Sequence, residues 1–149
     1  EKENKIQRIE GYDISNISGK FATGSMVVFW NGKPQKSEYK KFKIKTVHQP
    51  NDVLMLKEVL KRRFLHKEWQ FPDLILIDGG ISQVNAAKQI LNKFKLNIPI
   101  VGIAKGPKRN KNEFIGNLPL DFDKNILIKV RDEAHRFAIS YHKKLRKIV

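Results

Sequence analysis

Pro72-Asp73-Leu74-Ile75-Leu76-Ile77-Asp78-Gly79-Gly80 decides how the rest of the chain is read. Its aliphatic run has no polar alternation, so both faces call for burial, as in a central strand of a parallel or mixed sheet covered by helices. The run ends on a carboxylate and a pair of glycines, just before an amphipathic stretch. A strand, a Gly-rich turn and a helix in that order put Asp78 at the carboxyl end of a buried strand, where open α/β sheets keep their ligands. An aspartate there either braces the turn or serves a site.

The 149 residues are enough for one ordinary domain with a real core, spanning 1–149. Apolar residues make up 40% and charged residues 30%, a balance that suits a folded domain rather than a disordered chain. The absence of cysteine excludes disulfides and thiolate metal sites. No apolar run approaches membrane-spanning length, and Glu1-Lys2-Glu3-Asn4-Lys5 does not read as a signal peptide. The first residue is not Met, as expected of a piece cut from something longer. Lys and Arg number 30 against 15 Asp and Glu, a net charge of +15. Such a surplus on one small domain favours a polyanionic partner, most simply DNA or RNA. A membrane partner is not expected, because no basic amphipathic anchor stands apart from the fold. The plain alternative is charge that serves solubility alone.

Residues 6 to 14 read as a strand, with Ser15-Asn16-Ile17-Ser18-Gly19 as the turn after it. Phe21 to Trp30 is a second strand, and Asn31-Gly32 is a strong hairpin signal. Lys36 to Lys45 is a third, with Lys41, Lys43 and Lys45 on one side and Phe42 and Ile44 on the other. A lysine row of that kind protects an edge strand from pairing, or touches phosphate. Val53, Leu56, Leu60 and Phe64 then fall at helical spacing over 52–67, with Asn51 or Asp52 placed to cap. After the central strand, Ser82 is the expected cap of a second helix whose apolar stripe is Val84, Ala87, Leu91 and Phe94. Ile98 to Ala104 is a short buried strand, and 105–123 a polar loop carrying Lys105, Lys108, Arg109 and Lys111. The last helix is expected over Asn125 to Arg146, on a stripe of Val130, Ala134, Phe137, Ala138, Tyr141 and Leu145.

The order β-β-β-α-β-α-β-α joins an antiparallel three-strand meander to two strands that return through helices. The fold class is therefore α/β: a mixed five-stranded sheet with helices on both faces, the ribonuclease H-like arrangement. That topology lays the first strand beside the fourth, so Asp13 and Asp78 come side by side. Paired carboxylates repel unless a cation lies between them, and a hard divalent ion such as Mg²⁺ or Mn²⁺ suits oxygen ligands and leaves room for water and phosphate.

Four segments in order carry a family likeness: Gly11-Tyr12-Asp13-Ile14-Ser15-Asn16; Ser37-Glu38-Tyr39-Lys40-Lys41-Phe42; Pro72 to Gly80; and Arg131-Asp132-Glu133-Ala134-His135-Arg136-Phe137-Ala138-Ile139. Together they resemble the C-terminal endonuclease domain of UvrC, a component of the bacterial excinuclease of nucleotide excision repair. The resemblance implies a metal-dependent, ribonuclease H-like DNA nuclease that cuts on the 5′ side of a lesion. It implies damaged double-stranded DNA and a UvrB–DNA complex as partners, and a cytoplasmic, bacterial setting. The family's catalytic positions fall on Asp13, Asp78 and His135, with a further acidic position on Asp52. Where the family often has Lys-Gly before Gln83, this chain has Ile81-Ser82, one positive charge fewer near the site.

The residues themselves allow narrower roles. His135 lies off the core stripe, on a side shared with Arg131, Asp132, Ile139 and His142, where an imidazole can exchange a proton or hold metal. Asp52 at a helix start is either a cap or a catalytic acid. Lys105, Lys108, Arg109 and Arg136 are candidate phosphate neighbours, or solvated charges. His48 and His66 read as surface residues, and Trp30 and Trp69 as core rather than base-stacking platforms. A non-catalytic ribonuclease H-like binding module, or an endonuclease V-like repair nuclease, shares the fold and the charge. Only a nuclease needs Asp13 and Asp78 within reach of one ion.

Overall fold

The computed structural model describes residues 5–15, 22–106, 111–119 and 121–148, with side chains as far as residue 140. The strands are β1 (Arg8–Ser15), β2 (Thr23–Trp30), β3 (Lys33–Pro34), β4 (Lys40–Lys43), β5 (Leu74–Asp78), β6 (Ile100–Lys105) and β7 (Asn112–Ile115). The helices are α1 (Asp52–Leu65), α2 (Ile81–Lys93) and α3 (Lys124–Ile148). One mixed sheet runs β3-β2-β1-β5-β6-β7, with β4 also paired to β2. β1 is antiparallel to β2 and parallel to β5, which is parallel to β6. The expected five strands thus stand in the expected order, and two short ones are added.

Each addition has a local cause. Asn31 and Gly32 take positive φ values of 52° and 81°, the geometry of a tight hairpin turn, so the chain returns onto β2 at once as β3. Pro34 has no amide hydrogen to extend the ladder, and the chain leaves it as a 3-10 turn over Lys36–Glu38. The strand expected over 36–45 is therefore confined to Lys40–Lys43. β7 lies inside the segment expected to be all loop, and pairs antiparallel with β6. Its Asn112-Glu113-Phe114-Ile115 has only the half-buried Phe114 and Ile115 to signal it. The helix starts differ as well. Asn51, not Asp52, caps α1, its side chain accepting from the Leu54 amide at 3.0 Å. Ser82 caps nothing: α2 begins at Ile81, and the Gln83 side chain reaches back to accept from the Gly80 amide at 3.1 Å.

α1 and α2 cover one face of the sheet, over a core that includes Tyr12, Met26, Leu60, Phe64, Ile75 and Ile77. α3 covers the other, over Ile9, Val27, Phe29, Leu74, Leu76 and Val101, with its own Leu127, Val130 and Ala134. Tyr141 and Leu145, expected on that stripe, lie outside the described side chains. The α1 face also holds charge. Glu10, fully buried, accepts from Arg63 at 2.7 Å and 2.8 Å, from Arg8 at 3.0 Å and from the Tyr12 hydroxyl at 2.6 Å. Glu38, just before β4, takes the other end of Arg8. Two guanidinium groups are matched by two carboxylates, the condition under which buried charge is tolerated. The same contacts tie the start of the Ser37-Glu38-Tyr39 segment to β1.

Gly11 sets how closely α3 approaches β1. A Cβ at that position would stand 2.4 Å from Val130 Cγ1, on a stiff β-branched side chain. Gly11→Ala is therefore expected to destabilise the domain by about 1–3 kcal/mol through overpacking. Denaturant melts of the two proteins check it, and an unchanged midpoint would show that α3 can shift freely.

Candidate active site

Registration brings the two aspartates together. Every described β1–β5 partner lies 65 residues further along the chain, ending at Tyr12 and Ile77. The next pair in that register is Asp13 and Asp78. Alternation along a strand puts both on the α3 face, with Ile9 and Gly11 on one strand and Leu74 and Leu76 on the other. The row continues across the sheet: Asp13 pairs with Ser25 on β2, and Ser25 with Lys41 on β4. α3 lies over this row. His135 Nδ1 stands 3.3 Å from Asp13 Oδ2, and Lys41 Nζ lies 4.5 Å from the centre of the Phe137 ring. Ligand atoms of Asp13, Asp78 and His135 all fall within 4.8 Å of one another.

The environments of the carboxylates differ. Asp13 is 8% exposed, and burial first, then the charge of Asp78, raises its pKa from the usual 3.8 to about 6, with His135 partly offsetting both. Asp78 ends its strand in the open, yet desolvation still raises its pKa against the pull of Arg131 and His135. His135 is 64% exposed, so solvent reaches the site from its side.

Two carboxylate oxygens and an imidazole nitrogen form a donor set for a hard divalent ion, with positions left for water and phosphate. Two observations agree with such a guest. Burial first, and the charge of Asp78 second, disfavour ionised Asp13, a penalty that a bound cation would offset. Beside Asp13, the fully buried Ser25 hydroxyl has no hydrogen-bond partner among the described residues.

The remaining candidates take distinct places. Asp52, relieved of capping by Asn51, is exposed at the start of α1. It stands outside the three-residue cluster, although its charge contributes to the rise at Asp13. Lys105 is exposed at the end of β6. Arg136 is held by Glu133 through bonds of 2.8 Å and 2.7 Å, so its charge is already matched. Lys108 and Arg109 lie outside the described residues. Lys41, Lys43 and Lys45 are exposed along the edge strand and just past its end, as edge protection requires. Trp69 is half-buried, packing edge-on against Phe42 at 6.3 Å.

Two groups escape a reading of the sequence alone. The Tyr39 hydroxyl donates to Glu133 at 2.8 Å, and its ring meets Phe137 edge-on at 5.0 Å, which fastens the turn of α3 that carries His135. On the other flank, Arg131 Nη1 donates to Asn112 Oδ1 of β7 at 2.7 Å. That Arg131 shares a face with His135, one helical turn on, is legible in the sequence; its bond to β7 is not. Nothing in the segment before α3 pointed to Asn112.

Comparison with known proteins adds a family to this geometry. A family model described as the UvrC RNase H endonuclease domain matches residues 1–139. The UvrABC system protein C of Clostridium novyi (strain NT) is 44% identical over 170 residues, covering 98% of this chain and 27% of that protein. Its namesake in Methanococcoides burtonii is 48% identical over 147 residues, covering 93% of this chain and 24% of that protein. The chain thus spans about a quarter of the length of these relatives. Among solved structures, human ENDOV is 18% identical with a TM-score of 0.45, over 68% of this chain and 46% of that one. Endonuclease V of Ciona intestinalis is 20% identical with a TM-score of 0.46, over 97% of this chain and 57% of that one. Likenesses at those scores do not bear on function.

Proposed function

We propose that this chain, which belongs to the UvrC RNase H endonuclease domain family, hydrolyses a DNA phosphodiester with Mg²⁺ or Mn²⁺ and, within a longer protein, cuts on the 5′ side of a lesion. The observation that carries the reading is the convergence of Asp13, Asp78 and His135 on one cation-sized space at the carboxyl end of β1 and β5. A binding module gains nothing from two neighbouring carboxylates, which repel each other and the phosphates of DNA.

Asp13, buried, and Asp78, exposed, would hold the ion. When bound, the ion supplies a Lewis acid that neutralises charge on the scissile phosphate and makes water nucleophilic near neutral pH. With His135 Nδ1 held by Asp13, proton exchange with the attacking water or the leaving oxygen falls to Nε2. The ring is exposed enough to return that proton to solvent. Asp52, close enough to act on Asp13 through its charge, adds to the negative field that draws the ion in. Lys105 belongs to the surface that meets the DNA backbone.

The partners in this reading are damaged duplex and a UvrB–DNA complex, in the bacterial cytoplasm, with residues 1–149 as one endonuclease domain. The relatives' name, UvrABC system protein C, supports the partners. Among the described residues no helix is long and apolar enough to cross a membrane. The test uses the complete protein on a lesion-bearing duplex with UvrB loaded and each strand end-labelled. A cut 5′ of the lesion is expected with Mg²⁺ or Mn²⁺, and none there after chelation. Cleavage there that survives the chelator, or only a 3′ cut, overturns the proposal.

A further inference from the structure

The site's negative groups are accounted for, but the phosphate they act on also needs a cation on the protein side. Arg136 is occupied by Glu133, which is itself bound by Tyr39. Arg131 is placed differently. Its side chain is 23% exposed, and its guanidinium reaches Asn112 Oδ1 at 2.7 Å. Asn112 pairs with Lys105, two residues past the Ile103 that pairs with Asp78, so the guanidinium stands at the rim of the strand ends that carry the cluster. Nε and Nη2 share a single oxygen of Asp132 at 3.1 Å, but that carboxylate is 66% exposed and screened by water. Asn112 is neutral. The guanidinium is thus fixed in direction by a neutral amide and by a carboxylate that water screens.

We propose that Arg131 is a phosphate-binding residue of this active site, its fork held at the rim by Asn112 and Asp132 to take a non-bridging oxygen of the strand being cut. The inference rests on the nuclease reading and extends it to the substrate. A planar, always-charged fork matches phosphate geometry in a way that a lysine does not, and a pre-oriented one loses less freedom on binding. Asn112 acts through Arg131 and is a positioning residue.

The test separates a substrate contact from a mere counter-charge to Asp78. In an Asp13→Asn background without metal, Arg131→Gln is expected to weaken duplex binding by the 149-residue chain about fivefold or more and to reduce the salt slope by about one. In the complete protein with UvrB-loaded lesion DNA, Arg131→Gln is expected to slow incision by roughly 10–100-fold, Arg131→Lys by less, and Asn112→Ala by less still with its salt slope kept. The Mg²⁺ concentration that half-saturates a thermal shift should not rise in any of them. An unchanged salt slope and unchanged DNA affinity, with tighter Mg²⁺ binding in Arg131→Gln, would overturn the proposal and leave Arg131 as the partner of Asp78. If Arg131→Gln melts early, Arg131→Lys and Asn112→Ala carry the decision: rates equal to the parent in both refute it. The nuclease reading fails separately, by incision that persists in Asp13→Asn.

Discussion

Asp13→Asn and Asp78→Asn should each reduce incision by roughly a thousandfold or more, while duplex binding stays within about threefold of the parent. Either change keeps the shape of the side chain and an oxygen that can ligate, but removes half of the paired negative charge that attracts a divalent ion. The lost stabilisation appears only where the ion is required, in the transition state, so the rate falls and ground-state affinity does not. Binding even gains slightly, because the removed charge opposed phosphate. His135→Ala is expected to be milder, a loss on the order of a hundredfold, the low end for a proton-transfer group, because the two aspartates would still hold the ion. The measurement is single-turnover incision of a defined lesion duplex, alongside anisotropy in the absence of metal. Full-rate incision by either purified aspartate variant removes the assignment. A large loss of binding in either would show that the fold, rather than the ion, had been disturbed.

The sequence exposed the parts of this site that leave a periodic trace. Asp78 stands out because it ends an unbroken aliphatic run and precedes two glycines. Asp13 carries no such mark; it became a candidate only when the strand order put β1 beside β5, and the constant 65-residue offset then aligned the two carboxylates. His135 lies one step off the Val130–Ala134–Ala138 stripe, but helical spacing alone read it as a surface residue, and the family likeness made it a candidate. What stayed hidden depends on pairing rather than pattern. Arg8 and Glu10 sit on the α1 face of β1 and would be read as solvated, yet they are 2% and 0% exposed because Arg63 and Glu38 complete a neutral set. No one-dimensional pattern shows that four charges from separate elements cancel. β7 was hidden for a related reason: a short edge strand needs few apolar residues, and this one carries the Asn112 that Arg131 bonds. The sequence could likewise place Asn51 and Asp52 together at a helix start without telling which of them caps. Once Asn51 takes that role, the carboxylate of Asp52 is left to act through its charge.

The cost of holding Asp13 in this place should be measurable as stability. The unfolded chain releases the Asp13 proton near the usual 3.8, but the folded chain only near about 6, because burial and the Asp78 charge oppose ionisation. The folded state therefore prefers the protonated form, and stability is lost as pH rises through that window. The loss begins near pH 3.8, is complete above about pH 6, and amounts to about 3 kcal/mol in the absence of metal, at about 1.4 kcal/mol per pH unit of separation. Asp13→Asn cannot ionise, so it should melt higher than the parent at pH 8 by roughly 6–12 °C and lose that advantage as pH approaches 3.5. A divalent ion binds the folded parent and opposes the same penalty, so Mg²⁺ or Mn²⁺ should raise the melting temperature of the parent at pH 8 and leave Asp13→Asn nearly unmoved. The inactive protein would then be the more stable one without metal, as expected where a site holds like charges together for function. Melting curves of parent and variant across pH 3.5–8, with and without the ion, decide it. Parallel curves, with no gap opening between pH 4 and 6, would show that Asp13 ionises as freely folded as unfolded and that the pocket is far wetter than its burial implies.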